Sequence, residues 1–194
     1  MNGRSVTIFY VLDTAGHMKP HMMGALNDSM EEAIDALKRL ASQDAEDISI
    51  AVLEYNSGAN WVILPTPISK VKWEGLRAGG LCDIGAGIDE LGSKLNEFLG
   101  ENEQNTTQYY YPIYIFMLAG YPTDDYSKPL SSIRNNVWFR KGIKIAFAIG
   151  QDADIGALKN ITGTSEAIID TDLDAFKNLF CLVKINKDNN GMSG

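Results

Sequence analysis

Runs of apolar residues with almost no polar alternation most narrowly limit what this chain can become. Residues 6–12, 113–118 and 144–149 are nearly continuous in β-branched, aliphatic and aromatic side chains. A strand that is apolar on both sides must be covered on both faces, which is the condition of a parallel sheet held between helices. The intervening segments have the matching period. Met22, Leu26, Met30, Ala33, Ile34, Leu37 and Leu40 recur at three- and four-residue steps, with Glu31, Glu32, Asp35, Lys38 and Arg39 on the other side, as in an amphipathic helix. Ile84, Ile88, Leu91, Leu95 and Phe98 mark a second helix, with Asp83 near its first turn, where a carboxylate suits the helix dipole.

Residues 48–55 and 61–64 read as strands joined by Asn56-Ser57-Gly58-Ala59-Asn60, a turn-rich link suited to an antiparallel hairpin. Pro65, Pro67 and Gly79-Gly80 then read as loop. Leu130, Ile133, Val137 and Trp138 line one expected helix, followed by a short helix over 155–158, a strand over 167–169 and a helix over 173–183 that places Cys181 on its apolar face. The expected fold is α/β and doubly wound: a mostly parallel central sheet with one antiparallel edge strand and helices on both faces. One domain spans residues 1–186, and residues 187–194 form a polar tail.

Charge and cysteine content exclude several functions. The net charge of −8, with no Lys/Arg run, leaves no footprint for neutralising phosphates, so nucleic acid is not an expected partner. No apolar stretch is long enough to span a bilayer, the first residues lack a secretory signal, and Cys82 and Cys181 are too far apart for a paired-spacing motif. A reducing cytoplasm is the expected compartment.

The chemistry is concentrated where strands end. Residues 6–12 run into Asp13, and a carboxylate at the tip of a central parallel strand lies where open α/β sheets place their ligands. The segments Tyr10-Val11-Leu12-Asp13-Thr14-Ala15-Gly16-His17-Met18, Ala25-Leu26-Asn27, residues 78–87 around Cys82, residues 116–125 around Ala119 and residues 148–154 occur in that order. In these loops and in its element order the chain resembles the von Willebrand factor A domain, and more narrowly the stand-alone bacterial TerY-like branch, which is linked with tellurium resistance and stress-response operons. The resemblance implies a Rossmann-like fold with a metal-ion-dependent adhesion site, built from Asp-x-Ser-x-Ser after the first strand, a Thr in a second loop and an Asp after the fourth strand. Compact oxygen ligands of that kind suit octahedral Mg²⁺.

Carried onto this sequence, Asp13 keeps the first aspartate. Ala15 and His17 stand at the two serines, Cys82 at the threonine and Ala119 at the second aspartate. The resemblance therefore implies a degenerate adhesion site and a non-enzymatic scaffold or adaptor in a bacterial stress-response or defence pathway. Its partner is another protein, with kinase or phosphatase components of the same operon as candidates, and binding needs no Mg²⁺. Asp13 is then a loop-anchoring residue, and no resident cofactor is expected.

Alternatives stay open on the same residues. The main alternative is a metal-dependent adhesion module that retains Mg²⁺ or has switched metal, since Asp13, His17 and Cys82 supply the donor types of zinc or another borderline metal. They also permit a cysteine nucleophile with a histidine base and a carboxylate orienter. Asp124 and Asp125 are expected to form a turn and a helix start. Met18, Met22 and Met23 with Tyr121 and Pro122, flanked by Asp83, form an expected rim, or else Met22 faces the core and only Met18 and Met23 are exposed. Trp61, Trp73 and Trp138 are expected in core or sheet-edge packing, with Trp73 the first candidate among them for an exposed anchor near the same face, and His21 is expected toward solvent.

Overall fold

A computed structural model describes residues 5–44, 47–100 and 109–171. Its element order is β1 (Ser5–Asp13), α1 (Pro20–Asp44), β2 (Asp47–Asn56), β3 (Gly58–Pro67), α2 (Ile84–Leu99), β4 (Ile113–Leu118), α3 (Ser127–Ile133), α4 (Val137–Lys141), β5 (Ile143–Ile149), α5 (Ile155–Thr162) and β6 (Ile168–Thr171). The apolar runs became β1, β4 and β5 because only the sheet centre can cover both faces of such strands. In β1, all residues after Ser5 are buried.

The sheet order is β3-β2-β1-β4-β5-β6, parallel throughout except for the β2/β3 pair. Successive β1 residues serve opposite cores. Ile8, Tyr10 and Leu12 pack with Leu26, Met30 and Ile34 of α1, while Phe9 and Val11 pack with Ile88, Leu91 and Leu95 of α2. Each of these aliphatic side chains contributes about 2 kcal/mol by leaving water. The strand order reverses between β1 and β4, so the tip of β1 opens onto the crevice at the topological switch.

Several local expectations change. The β2/β3 link is tighter than residues 56–60, since Asn56 pairs with Gly58 and the turn closes through Gly58 at φ 102°. β3 runs on to Pro67 and so contains Pro65, which a sheet tolerates only where no neighbouring strand needs its N–H, and β3 is an edge. The single helix expected through Leu130 and Trp138 is two, α3 and α4. Asn136 breaks it by turning to extended backbone and accepting hydrogen bonds at Oδ1 from the Trp138 and Phe139 N–H groups.

Trp73 is half-buried against the α1-side core, the packing role and not the exposed anchor. Trp138 is fully buried and donates to Gly100 O, and Trp61 donates to Glu90. The helix expected over 173–183, Cys181 and the tail 187–194 lie outside the described residues. None of the described helices is long and apolar enough to cross a membrane.

Candidate functional site

Three loops meet at the end of β1: residues 14–19 after β1, 78–83 before α2, and 119–126 after β4. Backbone bonds hold them together. Gly16 N–H donates to Gly80 O at 2.9 Å, Gly79 N–H donates to Thr14 O at 2.9 Å, and Thr123 N–H donates to Cys82 O at 2.9 Å. The approach is close enough that a Cβ on Gly16 would lie 3.0 Å from Gly80 O, so Gly16 keeps the first two loops in register. The Thr123 hydroxyl accepts from Cys82 N–H at 2.8 Å and donates to Asp83 Oδ1 at 2.7 Å, clamping the backbone on which Cys82 stands.

Asp13 lies at the centre with no exposed surface. Its Oδ1 accepts from Ala15 N–H at 2.9 Å. Its Oδ2 faces Ala119 N–H at 3.0 Å, His17 Nε2 at 2.9 Å and Cys82 Sγ at 3.7 Å. An ionised carboxylate only accepts hydrogen bonds, so His17 Nε2 carries the proton in this arrangement. The hydrogen bond to Asp13 raises the His17 pKa above its ordinary value, helped by the charges of Asp13 and Asp152 and opposed by partial burial. The thiol of Cys82, 2% exposed, is pushed up by burial first and by the Asp13 charge second. That direction is opposite to the one that activates a cysteine nucleophile, and thiol and imidazole both address the same carboxylate oxygen.

All five aligned positions, Asp13, Ala15, His17, Cys82 and Ala119, are thus brought to one place. The rim differs from expectation. Met18 is 2% exposed and Met23 is 6% exposed, and both lie in the α1-side core. The alternative in which these two face solvent fails with it, and Met22 is the half-buried member. Tyr121 is 65% exposed and Leu81, on the adjoining loop, is 56% exposed. Asp83 precedes α2 but does not cap it, since its carboxylate serves Thr123 and the Gly58 N–H.

The side-chain cap of α2 comes from Asp124. It reaches across from the β4 loop and accepts from Gly85 N–H at 3.0 Å and Ala86 N–H at 2.8 Å, so it caps α2 and not the helix that follows it. Asp125 accepts from Ser127 N–H, a turn at the start of α3 as expected. Two further residues matter. Gly120 lies beneath the imidazole, where a Cβ would come 2.6 Å from His17 Cε1, and Gly85 leaves space for the Asp124 carboxylate. Glycines in quoted loops were the available signal, but which side chain each one admits depends on a neighbouring loop. A cavity of about 480 Å³ opens beside the site, lined by His17, Lys19, His21, Ala119, Gly120 and Tyr121 among others.

No protein-family model and no curated protein matches the sequence. Solved structures do match. A von Willebrand factor type A protein from Catenulispora acidiphila superimposes over 92% of this chain with a TM-score of 0.61 at 16% identity. The fold is that of von Willebrand factor A domains. Proximal thread matrix protein 1 from the mussel byssus, in a structure described as having a zinc-occupied MIDAS motif, matches over 93% of the chain with a TM-score of 0.68 at 16% identity. Manganese-loaded TRAP protein from Plasmodium vivax matches over 93% with a TM-score of 0.60 at 17% identity. The chain spans 42% of the Catenulispora chain, 47% of the mussel chain and 74% of the Plasmodium chain.

A magnesium site of the kind implied by the resemblance does not fit these residues. Octahedral Mg²⁺ needs several hard oxygen donors and bound waters. Here the one central carboxylate is already bonded to two backbone amides, and its other hydrogen-bond partners are a thiol and an imidazole. What the group does offer is a mixed O, N and S donor set, with its ligand atoms within 4.8 Å of one another.

Proposed function

We propose that this chain is a protein-interaction module, acting as a scaffold or adaptor, that binds its partner through the strand-end face without Mg²⁺. One observation carries the reading: the buried Asp13 carboxylate is satisfied by four donors from its own chain, Ala15, Ala119, His17 and Cys82, so no Mg²⁺ is needed to neutralise it. Around it, exposed Tyr121 and Leu81 supply side chains suited to direct contact.

The loop resemblance supports assignment to a bacterial stress-response or defence pathway of the TerY type, in the cytoplasm, with kinase or phosphatase components of one operon as partners. The module binds and does not catalyse: burial and the Asp13 charge keep the Cys82 thiol protonated.

A tagged full-length chain, used to capture partners from bacterial lysate and from co-expressed operon products, tests this. The same partner should be recovered with and without added Mg²⁺ and lost with Tyr121→Asp. Capture abolished by EDTA and restored by Mg²⁺ would overturn the reading.

A further inference from the structure

We propose that Asp13, His17 and Cys82 form a zinc site whose fourth position is open. The ligand atoms are already gathered. His17 Nε2 and Cys82 Sγ lie 2.9 Å and 3.7 Å from the same Asp13 oxygen, and all three atoms fall within 4.8 Å of one another. Zinc bonds of about 2.0–2.1 Å to nitrogen and oxygen and about 2.3 Å to sulfur set the ligand atoms of a tetrahedral site roughly 3.3–3.6 Å apart. The two measured separations straddle that range. An ion enters by opening one pair and closing the other by a few tenths of an ångström, while His17 and Cys82 close toward each other.

The surroundings have the features that hold metal ligands in place. Ala15 N–H fixes Asp13 Oδ1 and Ala119 N–H fixes Oδ2, which orients the carboxylate as an outer shell does in metal sites. Thr123 bonds both the N–H and the carbonyl of Cys82, so the thiol is presented from a clamped backbone. His17 is the adjustable member: half-exposed, with its ring admitted by Gly120. His17, Ala119 and Gly120 also line the cavity of about 480 Å³, which has room for a fourth ligand, a water or a partner side chain.

The exchange balances in protons and charge. Zn²⁺ takes a lone pair from each of Asp13 Oδ2, His17 Nε2 and Cys82 Sγ. The thiol proton leaves to solvent, and Nε2 gives up its proton, to solvent from a charged ring or to Nδ1 as a neutral ring changes tautomer. No oxidation state changes, and Zn²⁺ with one carboxylate, one thiolate and one neutral imidazole is a neutral group. Zinc thus satisfies a thiol and an imidazole that Mg²⁺ cannot use. The site stands apart from the protein-binding reading, because its test uses no partner.

The metal-stripped full chain is titrated by calorimetry with Zn²⁺ and, separately, Mg²⁺, and with Co²⁺ followed by absorbance. The expected result is one Zn²⁺ per chain with a raised melting temperature, no response to Mg²⁺, and a cobalt–thiolate charge-transfer band saturating at one equivalent. Cys82→Ser should abolish the band and Cys181→Ser keep it. His17→Ala should weaken Zn²⁺ by at least roughly 100-fold, more than loss of an outer-shell partner does, and His21→Ala should leave it unchanged. Absence of saturable Zn²⁺ binding, or a wild-type chain that shows no thiolate band at one equivalent of Co²⁺, overturns the site without any variant. A band that survives Cys82→Ser also overturns it, by placing the metal elsewhere.

Discussion

Two carboxylates at the strand-end face, Asp13 and Asp124, look alike in sequence and do different work. Asp124 accepts two backbone amides at the start of α2, and both partners are permanent donors that can only be hydrogen-bonded. Asp13 also accepts two backbone amides, but its remaining partners are an imidazole and a thiol, whose protons a metal ion can replace. The first environment makes a helix cap. The second makes an adaptable site on an otherwise fixed loop cluster. What separates them is the chemistry of the donors.

The largest test of this contrast is Asp13→Ala. It strands the Ala15 and Ala119 N–H groups in a buried setting, so urea unfolding should show a loss of about 3 kcal/mol. Asp124→Ala should cost less, about 1.5 kcal/mol, the loss of a helix cap. It should also leave Zn²⁺ affinity unchanged, and an equal loss of affinity in both variants would erase the distinction.

Smaller still is Gly120→Ala. The new Cβ meets the His17 ring, a flexible and half-exposed side chain that can swing away, so stability should fall by less than about 1 kcal/mol. Zinc affinity should nevertheless drop clearly, because the displaced imidazole leaves the ligand set.

The least effect is a pH dependence. The His17 pKa is raised by its bond to Asp13, so the folded state holds this proton more tightly than the unfolded chain does. The resulting stabilisation is fully present below the unfolded value of about 6.5 and is lost as pH rises through the higher native value. In metal-free buffer the urea midpoint should therefore decline over that interval in the wild type, and the decline should be shallower in His17→Gln. A steeper fall in His17→Gln would assign the dependence to other groups.

Much of the architecture was legible because burial leaves a periodic trace. Continuous apolar runs became β1, β4 and β5, and the stripes of Leu26–Leu37 and Ile84–Leu95 became the core faces of α1 and α2. The split of α3 from α4 was less legible, since Asn136 reads equally well as an exposed helical residue until its side chain is seen capping Trp138 and Phe139. Met18 misled for a related reason: a methionine in a polar loop gives no hint that the loop folds its side chain under α1.

At the candidate site, loop resemblance placed Asp13, His17 and Cys82 in one neighbourhood, but no spacing rule joins residues 13 and 82. Nor does one assign Asp124 to a helix beginning forty residues earlier.

By itself, then, the sequence determined the layered α/β plan and the position of Asp13 at the tip of the central strand, because each depends on local composition and period. The tertiary structure decided which groups answer that carboxylate. Hydrogen bonds between separate loops converge Ala15, His17, Cys82 and Ala119 on two oxygen atoms, and convergence of distant segments is a property of packing that local pattern does not carry.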